Sequence, residues 1–196
     1  EGQQLYVTCS IGITLFPSDA ETMDDLLMHA DIAMYHAKAD GKNTYRLYSR
    51  EMNQQSSERV VLQTDLRKAL ELRQLYLQYQ PKFDARSARI IGVEALLRWQ
   101  HPERGPISPA RFIPLAEESG SIVAITEWVL KTACRQAKLW YDAGYGMISV
   151  AVNLSAYSLK RNHAPAMIRE TLEVTGLLPE LLELELTESM LIENDQ

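Results

Sequence analysis

Apolar and polar residues alternate near the start of the chain, with Leu5, Val7, Cys9, Ile11, Ile13 and Leu15 interleaved by Tyr6, Thr8, Ser10, Gly12 and Thr14. A period of two predicts a strand with one buried face, and Pro17 closes it. Thr22 is placed to cap a following helix, where Leu26, Ala30, Ala33 and Ala37 make one apolar stripe before Gly41 supplies the stop. A short strand is predicted over 44–48. The polar stretch from Asn53 to Glu58 marks a boundary, after which Leu62, Leu66, Ala69 and Leu70 predict an amphipathic helix leading into the next unit.

From residue 75 the pattern changes to strands separated by helices long enough for crossover connections. Strands are predicted over 76–83 and 90–99, joined by the polar turn at 85–88. Ser108 and Pro109 give a helix start with an N-cap followed by proline. A longer helix over 122–141 turns Ile125, Val129, Ala133 and Trp140 inward. A strand over 148–154, a helix over 165–174 stopped near Gly176, and a strand over 182–187 complete the pattern. Such alternation predicts an α/β fold with parallel strands and helices outside.

Composition narrows the function classes. A chain of 196 residues that is 46% hydrophobic and 23% charged is an ordinary globular sequence, with room for one large domain or two small ones. Its formal charge of −6 argues against DNA or RNA as a partner, which would call for a basic surface, but leaves room for a small anion held by a few local cations. Cys9 and Cys134 match no zinc spacing, so two buried thiols in a reducing compartment are expected. No apolar run approaches the roughly 20 residues of a membrane span, and no signal-peptide pattern opens the chain. A cytoplasmic location is therefore expected. The chain begins at Glu1 without methionine, just ahead of the first predicted strand, and Gln196 follows the last, so both ends are expected to be cuts from a longer parent.

In a barrel of alternating strands and helices, reactive side chains gather at the C-terminal ends of the strands. Glu94, Asn153 and Glu185 each interrupt an apolar strand with an oxygen-bearing side chain. Carboxylate and amide oxygens suit a hard cation, and the lack of a His/Cys cluster disfavours zinc. Taken singly, the two glutamates also fit outward-facing strand positions, and Asn153 also fits a cap for a helix starting near Ser155.

At these residues the sequence resembles a known family. Glu94-Ala95-Leu96 with Leu97-Arg98 is similar to the signature of EAL phosphodiesterases, which hydrolyse cyclic di-GMP. Gln80-Pro81, Ile107-Ser108-Pro109 through Glu117, Val152-Asn153-Leu154-Ser155 and Glu185-Leu186-Thr187-Glu188 resemble the same family in the same order. A lone triplet would be weak evidence, whereas an ordered series is specific.

The resemblance implies a TIM-type (β/α) barrel, Mg²⁺ or Mn²⁺ on Glu94, Asn153 and Glu185, and Glu188 holding a loop near the metal. It implies substrate contacts from Arg98 and Gln80, and linear pGpG as product. Catalytic roles are thus expected of Glu94, Glu185 and Glu188. The family's later elements, among them paired aspartates and a lysine, are absent from this sequence. A complete barrel needs roughly 250 residues, so the chain is expected to hold about the first half, inactive in isolation, with an unpaired strand edge near 182–187 open to association. A homodimeric parent is expected.

Residues 1–50 resemble the closing part of a GGDEF diguanylate cyclase domain, through Ser10-Ile11-Gly12-Ile13, Ala30-Asp31, Ala37-Lys38 and Gly41-Lys42-Asn43. That resemblance implies phosphate contacts from Lys38 and Lys42, although lysine at Lys42 lacks the planar fork of the usual arginine. The GGDEF motif itself is absent, so no cyclase activity is expected of the chain. The expected organisation is a cyclase-like segment over 1–50, a linker helix over 51–74 and a half barrel over 75–196. Three functions remain open: a cyclic di-GMP phosphodiesterase, a non-catalytic receptor for the same dinucleotide, or a dimerising scaffold.

Overall fold

The computed structural model describes residues 7–155 and 164–186. The chain divides into two compact units, 1–62 and 63–196.

In the first unit, β1 (Ile11–Ile13) pairs in parallel with β2 (Tyr45–Leu47), and α1 (Met23–Ala39) connects them. Leu5 and Tyr6 of the predicted strand lie outside the described residues; over 7–15 only Ile11–Ile13 is strand, and Cys9 is exposed rather than buried. Thr22 caps α1 as its residue type predicts, its hydroxyl accepting from the Asp25 N–H at 3.1 Å. Ala33 and Ala37 are fully buried, and their small side chains let α1 lie close to β1. Gly12 completes the approach, because a Cβ there would overlap the Ala30 carbonyl and the Met34 amide.

The polar stretch 53–58 falls where a linker helix is expected. It lies inside α2 (Arg50–Ala69), a continuous helix that starts in the first unit and ends in the second. Gln54, Gln55 and Ser57 are tolerated there because a helix polar on most faces is stable when packing elsewhere fixes it. Leu66 and Ala69 provide that packing, with 1% and 0% exposure.

The second unit opens with the antiparallel hairpin of β3 (Leu75–Phe83) and β4 (Ile90–His101). Asp84 shapes its turn by accepting the N–H groups of Arg86 and Ser87 at 3.1 and 2.7 Å. β4 then pairs antiparallel with β5 (Gly105–Ile107) and in parallel with β6 (Ser149–Leu154), which pairs in parallel with β7 (Leu182–Leu186). The sheet order is β3-β4-β6-β7, with β5 off this path. β5 escaped sequence reading because three residues, one of them Pro106, show no period.

Two helices, α3 (Pro109–Ser119) and α4 (Ile122–Asp142), cross from β4 to β6, and α5 (Ala164–Thr175) precedes β7. Ser108 is the N-cap of α3 and Gly120 ends it in the left-handed region, φ 73°. On α4 the buried set Ile122, Ile125, Thr126, Val129, Ala133 and Ala137 recurs at three- and four-residue spacings, as a helix facing a sheet requires. Trp140 is only half-buried, meeting Tyr79 edge to face at 5.0 Å. Trp99 and Phe112, almost fully buried, anchor α3 against β4 with centroids 5.7 Å apart. In β6, Val150, Ala151, Val152 and Leu154 are buried in a near-continuous run, the mark of a parallel strand covered on both faces. Asn153 alone breaks that run.

Candidate metal and phosphate site

Strand register decides which side chains meet. In the hairpin Gln80 lies opposite Glu94, Lys82 opposite Gly92 and Gln78 opposite Leu96. Opposed residues share a face, so Gln78, Gln80, Lys82, Glu94 and Arg98 line one side of the sheet. Across the parallel pairs, Glu94 lies beside Ala151, Ala151 beside Glu183, and Asn153 beside Glu185. The same face therefore also carries Asn153, Glu183 and Glu185.

Glu94 sits well inside β4, yet one residue before the end of the segment that pairs with β6, Gly92 to Ala95. β4 simply runs on into its pairings with β3 and β5. Asn153 and Glu185 each stand one residue before the last of their strands. The three thus lie near one end of the parallel sheet, on three neighbouring strands.

Asn153 Nδ2 donates to Glu94 Oε1 at 2.7 Å, so these two are in direct contact. Glu185 is engaged otherwise: its Oε1 accepts from Lys82 Nζ at 2.7 Å, and the same ammonium reaches Glu183 Oε2 at 3.0 Å. Ser149 Oγ donates to the other oxygen of Glu183. The Lys82 ammonium is raised above its ordinary pKa, first by its hydrogen bond to Glu185 and then, against partial burial, by Glu183. The Glu183 carboxyl is lowered, first by Ser149 and then by Lys82.

Two carboxylates and an amide form an all-oxygen donor set, the chemistry that Mg²⁺ and Mn²⁺ prefer. Among the described residues no three His, Cys, Asp or Glu side chains gather into a metal cluster. The chemistry of this set would suit a hard cation, with water or further oxygen ligands completing its coordination.

Arg98 is half-buried farther along β4. Its Nε donates to Gln78 Oε1 at 2.8 Å and its Nη1 to the Leu97 carbonyl at 2.9 Å, which fixes the guanidinium plane. Beside it opens a mostly apolar cavity of about 340 Å³, whose lining includes Leu97, Arg98, Pro109, Glu117, Ile125 and Asn153. Burial raises the Glu117 carboxyl, with a smaller push from Glu118. The lining of the cavity thus includes both Arg98 and Asn153.

Gln80 is exposed opposite Glu94. Lys38 in the last turn of α1 and Lys42, at φ 61° in the turn that follows, are both exposed and belong to the first unit. Glu188 lies outside the described residues. Sequence reading missed Gln78, Lys82, Ser149 and Glu183. Counting by two from Gln80 and from Glu185 would have placed Gln78, Lys82 and Glu183 on the face that carries Glu94.

Comparison with known proteins identifies the family. The family model described as "EAL domain" matches residues 63–196, and "Diguanylate cyclase, GGDEF domain" matches residues 1–44. The bifunctional diguanylate cyclase/cyclic di-GMP phosphodiesterase MucR of Pseudomonas aeruginosa is 48% identical over 95% of this chain and 27% of its own length. The cyclic di-GMP phosphodiesterase PdeR of Escherichia coli is 42% identical over 98% of this chain and 29% of its own. The chain thus spans between a quarter and a third of these two relatives.

Among solved structures, the c-di-GMP complex of the PaMucR phosphodiesterase matches at 50% identity with TM-score 0.66, covering 68% of this chain and 54% of that one. The Xanthomonas citri FimX EAL domain, in complex with c-diGMP, matches at 28% identity with TM-score 0.58, covering 74% of this chain and 55% of that one. No helix among the described residues is long and apolar enough to cross a membrane. With its oxygen set on three neighbouring strands and a family match over 63–196, this chain belongs to the EAL domain family.

Proposed function

We propose that the parent protein hydrolyses cyclic di-GMP to linear pGpG, and that this chain supplies Glu94, Asn153 and Glu185 as ligands for Mg²⁺ or Mn²⁺. The observation that carries the reading is the 2.7 Å contact between Asn153 and Glu94, with Glu185 beside Asn153 in register. Two such ions, when bound, activate water and neutralise charge developing on the phosphodiester.

The chain's own residues bind and orient the substrate. Arg98, tethered through Nε and Nη1, keeps its other N–H groups for a phosphate oxygen, and a guanidinium pairs with phosphate in a fixed plane. The apolar walls of the adjacent cavity take the ring of a base. Gln80 stands at the edge of the same face, and a catalytic role is assigned to Glu188, which lies outside the described residues.

The reading extends to the whole parent. Residues 1–50 form the end of a cyclase-like domain in which Lys38 and Lys42 meet phosphate, 51–74 connect, and 75–196 begin a barrel completed by later sequence. The parent is a cytoplasmic or membrane-anchored homodimer without a nucleic-acid partner. The test is turnover of cyclic di-GMP by the purified parent, with product identified by chromatography. Activity that a chelator abolishes and Mg²⁺ or Mn²⁺ restores is expected. Tight binding of the dinucleotide without turnover would replace the enzyme by the receptor reading, which nothing in the oxygen set favours.

A further inference from the structure

The Lys82 ammonium touches two carboxylates of one strand, and only one of them belongs to the proposed ligand set. Lys82 lies on β3, three strands from β7 in sheet order. Its own row on this face carries only small residues, Gly92 opposite it, where any Cβ would overlap Ser149 Oγ, and then Ser149, and the next row carries Ala151 beside Glu94. These small residues clear a path along which a long flexible side chain reaches Glu183 and Glu185. Ser149, next to Gly92 in register, holds Glu183 through its second oxygen.

From this geometry we infer that Lys82 is a positioning residue that competes with the divalent cation for Glu185, with Glu183 as the alternative seat that receives it when the cation binds. The inference rests on the proposed role of Glu185 as a metal ligand. A carboxylate cannot give one oxygen fully to an ammonium and to a divalent ion at once, and two cations at that distance repel. Retaining Lys82 on Glu183, already fixed by Ser149, lets Glu185 exchange partners without stranding an ammonium. Lys82 thereby weakens metal binding and keeps the ion exchangeable, while Glu183 relieves part of that competition.

The opposite signs of two variants separate this from a merely structural clamp. In the parent protein, Mn²⁺ affinity is read from the free-ion electron paramagnetic resonance signal in wild type, Lys82→Met, Lys82→Arg, Glu183→Gln and the double variant Lys82→Met/Glu183→Gln. Lys82→Met is expected to tighten Mn²⁺ about tenfold, the effect of removing one nearby unit charge. Glu183→Gln is expected to weaken it severalfold, because Lys82 then has only Glu185. Lys82→Arg should stay near wild type, and Glu183→Gln should have little effect once Lys82 is gone. Weaker binding in both Lys82→Met and Glu183→Gln, or simple additivity in the double variant, overturns the inference.

Turnover of the wild type is measured in parallel. Mn²⁺ binding with the expected signs but no hydrolysis would sink the phosphodiesterase reading and leave the role of Lys82 standing. A wild type that binds no Mn²⁺ overturns both.

Discussion

The two units treat the same kind of residue differently. In the first, Ile11 and Leu47 belong to paired strands yet stay 49% and 52% exposed, whereas in the second Val150, Ala151 and Val152 are fully buried. Side-chain chemistry is nearly the same, so the difference lies in what covers the sheet. Two strands of three residues with a single helix cannot enclose their apolar faces. β6 instead has a strand on each side and α4 packed against it, so apolar residues on both its faces are shielded. Asn153 is the exposed break in that run, and its contact with Glu94 is what ties it to the candidate site.

The sharpest break in this comparison is a cavity in the second unit. Trp99→Ala removes a side chain 1% exposed that packs on Phe112 and donates through Nε1 to Gln74 at 3.1 Å. It is expected to cost about 3–5 kcal/mol in denaturant unfolding of the parent's second unit. A cost below about 1 kcal/mol would mean that this core is looser than its burial indicates.

A smaller effect is expected in the first unit from Gly12→Val, whose side chain would overlap the backbone of α1. Overpacking of this kind costs about 1–3 kcal/mol. Hydrogen exchange should show lost protection in α1 while amides of β6 keep theirs. Loss in both would contradict the division at residues 62 and 63.

The smallest effect concerns the two thiols. Cys9 is exposed, whereas Cys134 is buried on α4 and its thiol is pushed by burial up to about 11. Below that value little thiolate forms, and the thiolate is the reactive species. An aromatic disulfide reagent at pH 8 is expected to titrate one thiol of this chain in the native protein and two in denaturant. Fast reaction of Cys134 in the native state would show that α4 is not held against the sheet.

Much of the second unit was legible because its elements are long and their periods clean. The alternation at 76–83 and the three- and four-residue spacing of Ile122, Ile125, Val129 and Ala133 each matched an observed element within one or two residues. The first unit was less legible. Alternation from Leu5 to Leu15 suggested one long strand, but among the described residues only Ile11–Ile13 pairs, with the three residues of β2. The polar run 53–58 lies in the helix Arg50–Ala69, whose solvated faces account for its composition. At the site, residue types and strand positions pointed to Glu94, Asn153 and Glu185. The contact between Asn153 and Glu94 and the reach of Lys82 across Gly92 and Ala151 depend on register, which no single strand's sequence reveals.

The central claim is that Glu94 is a metal ligand on which hydrolysis depends, and the direct test is Glu94→Ala in the parent protein, with Mn²⁺ affinity and cyclic di-GMP turnover measured together. Outer-shell partners of a metal ligand are worth about 10–100-fold, so loss of the ligand itself is expected to weaken Mn²⁺ and lower turnover by more than about a hundredfold. Undiminished Mn²⁺ affinity and undiminished turnover in that variant would contradict the account.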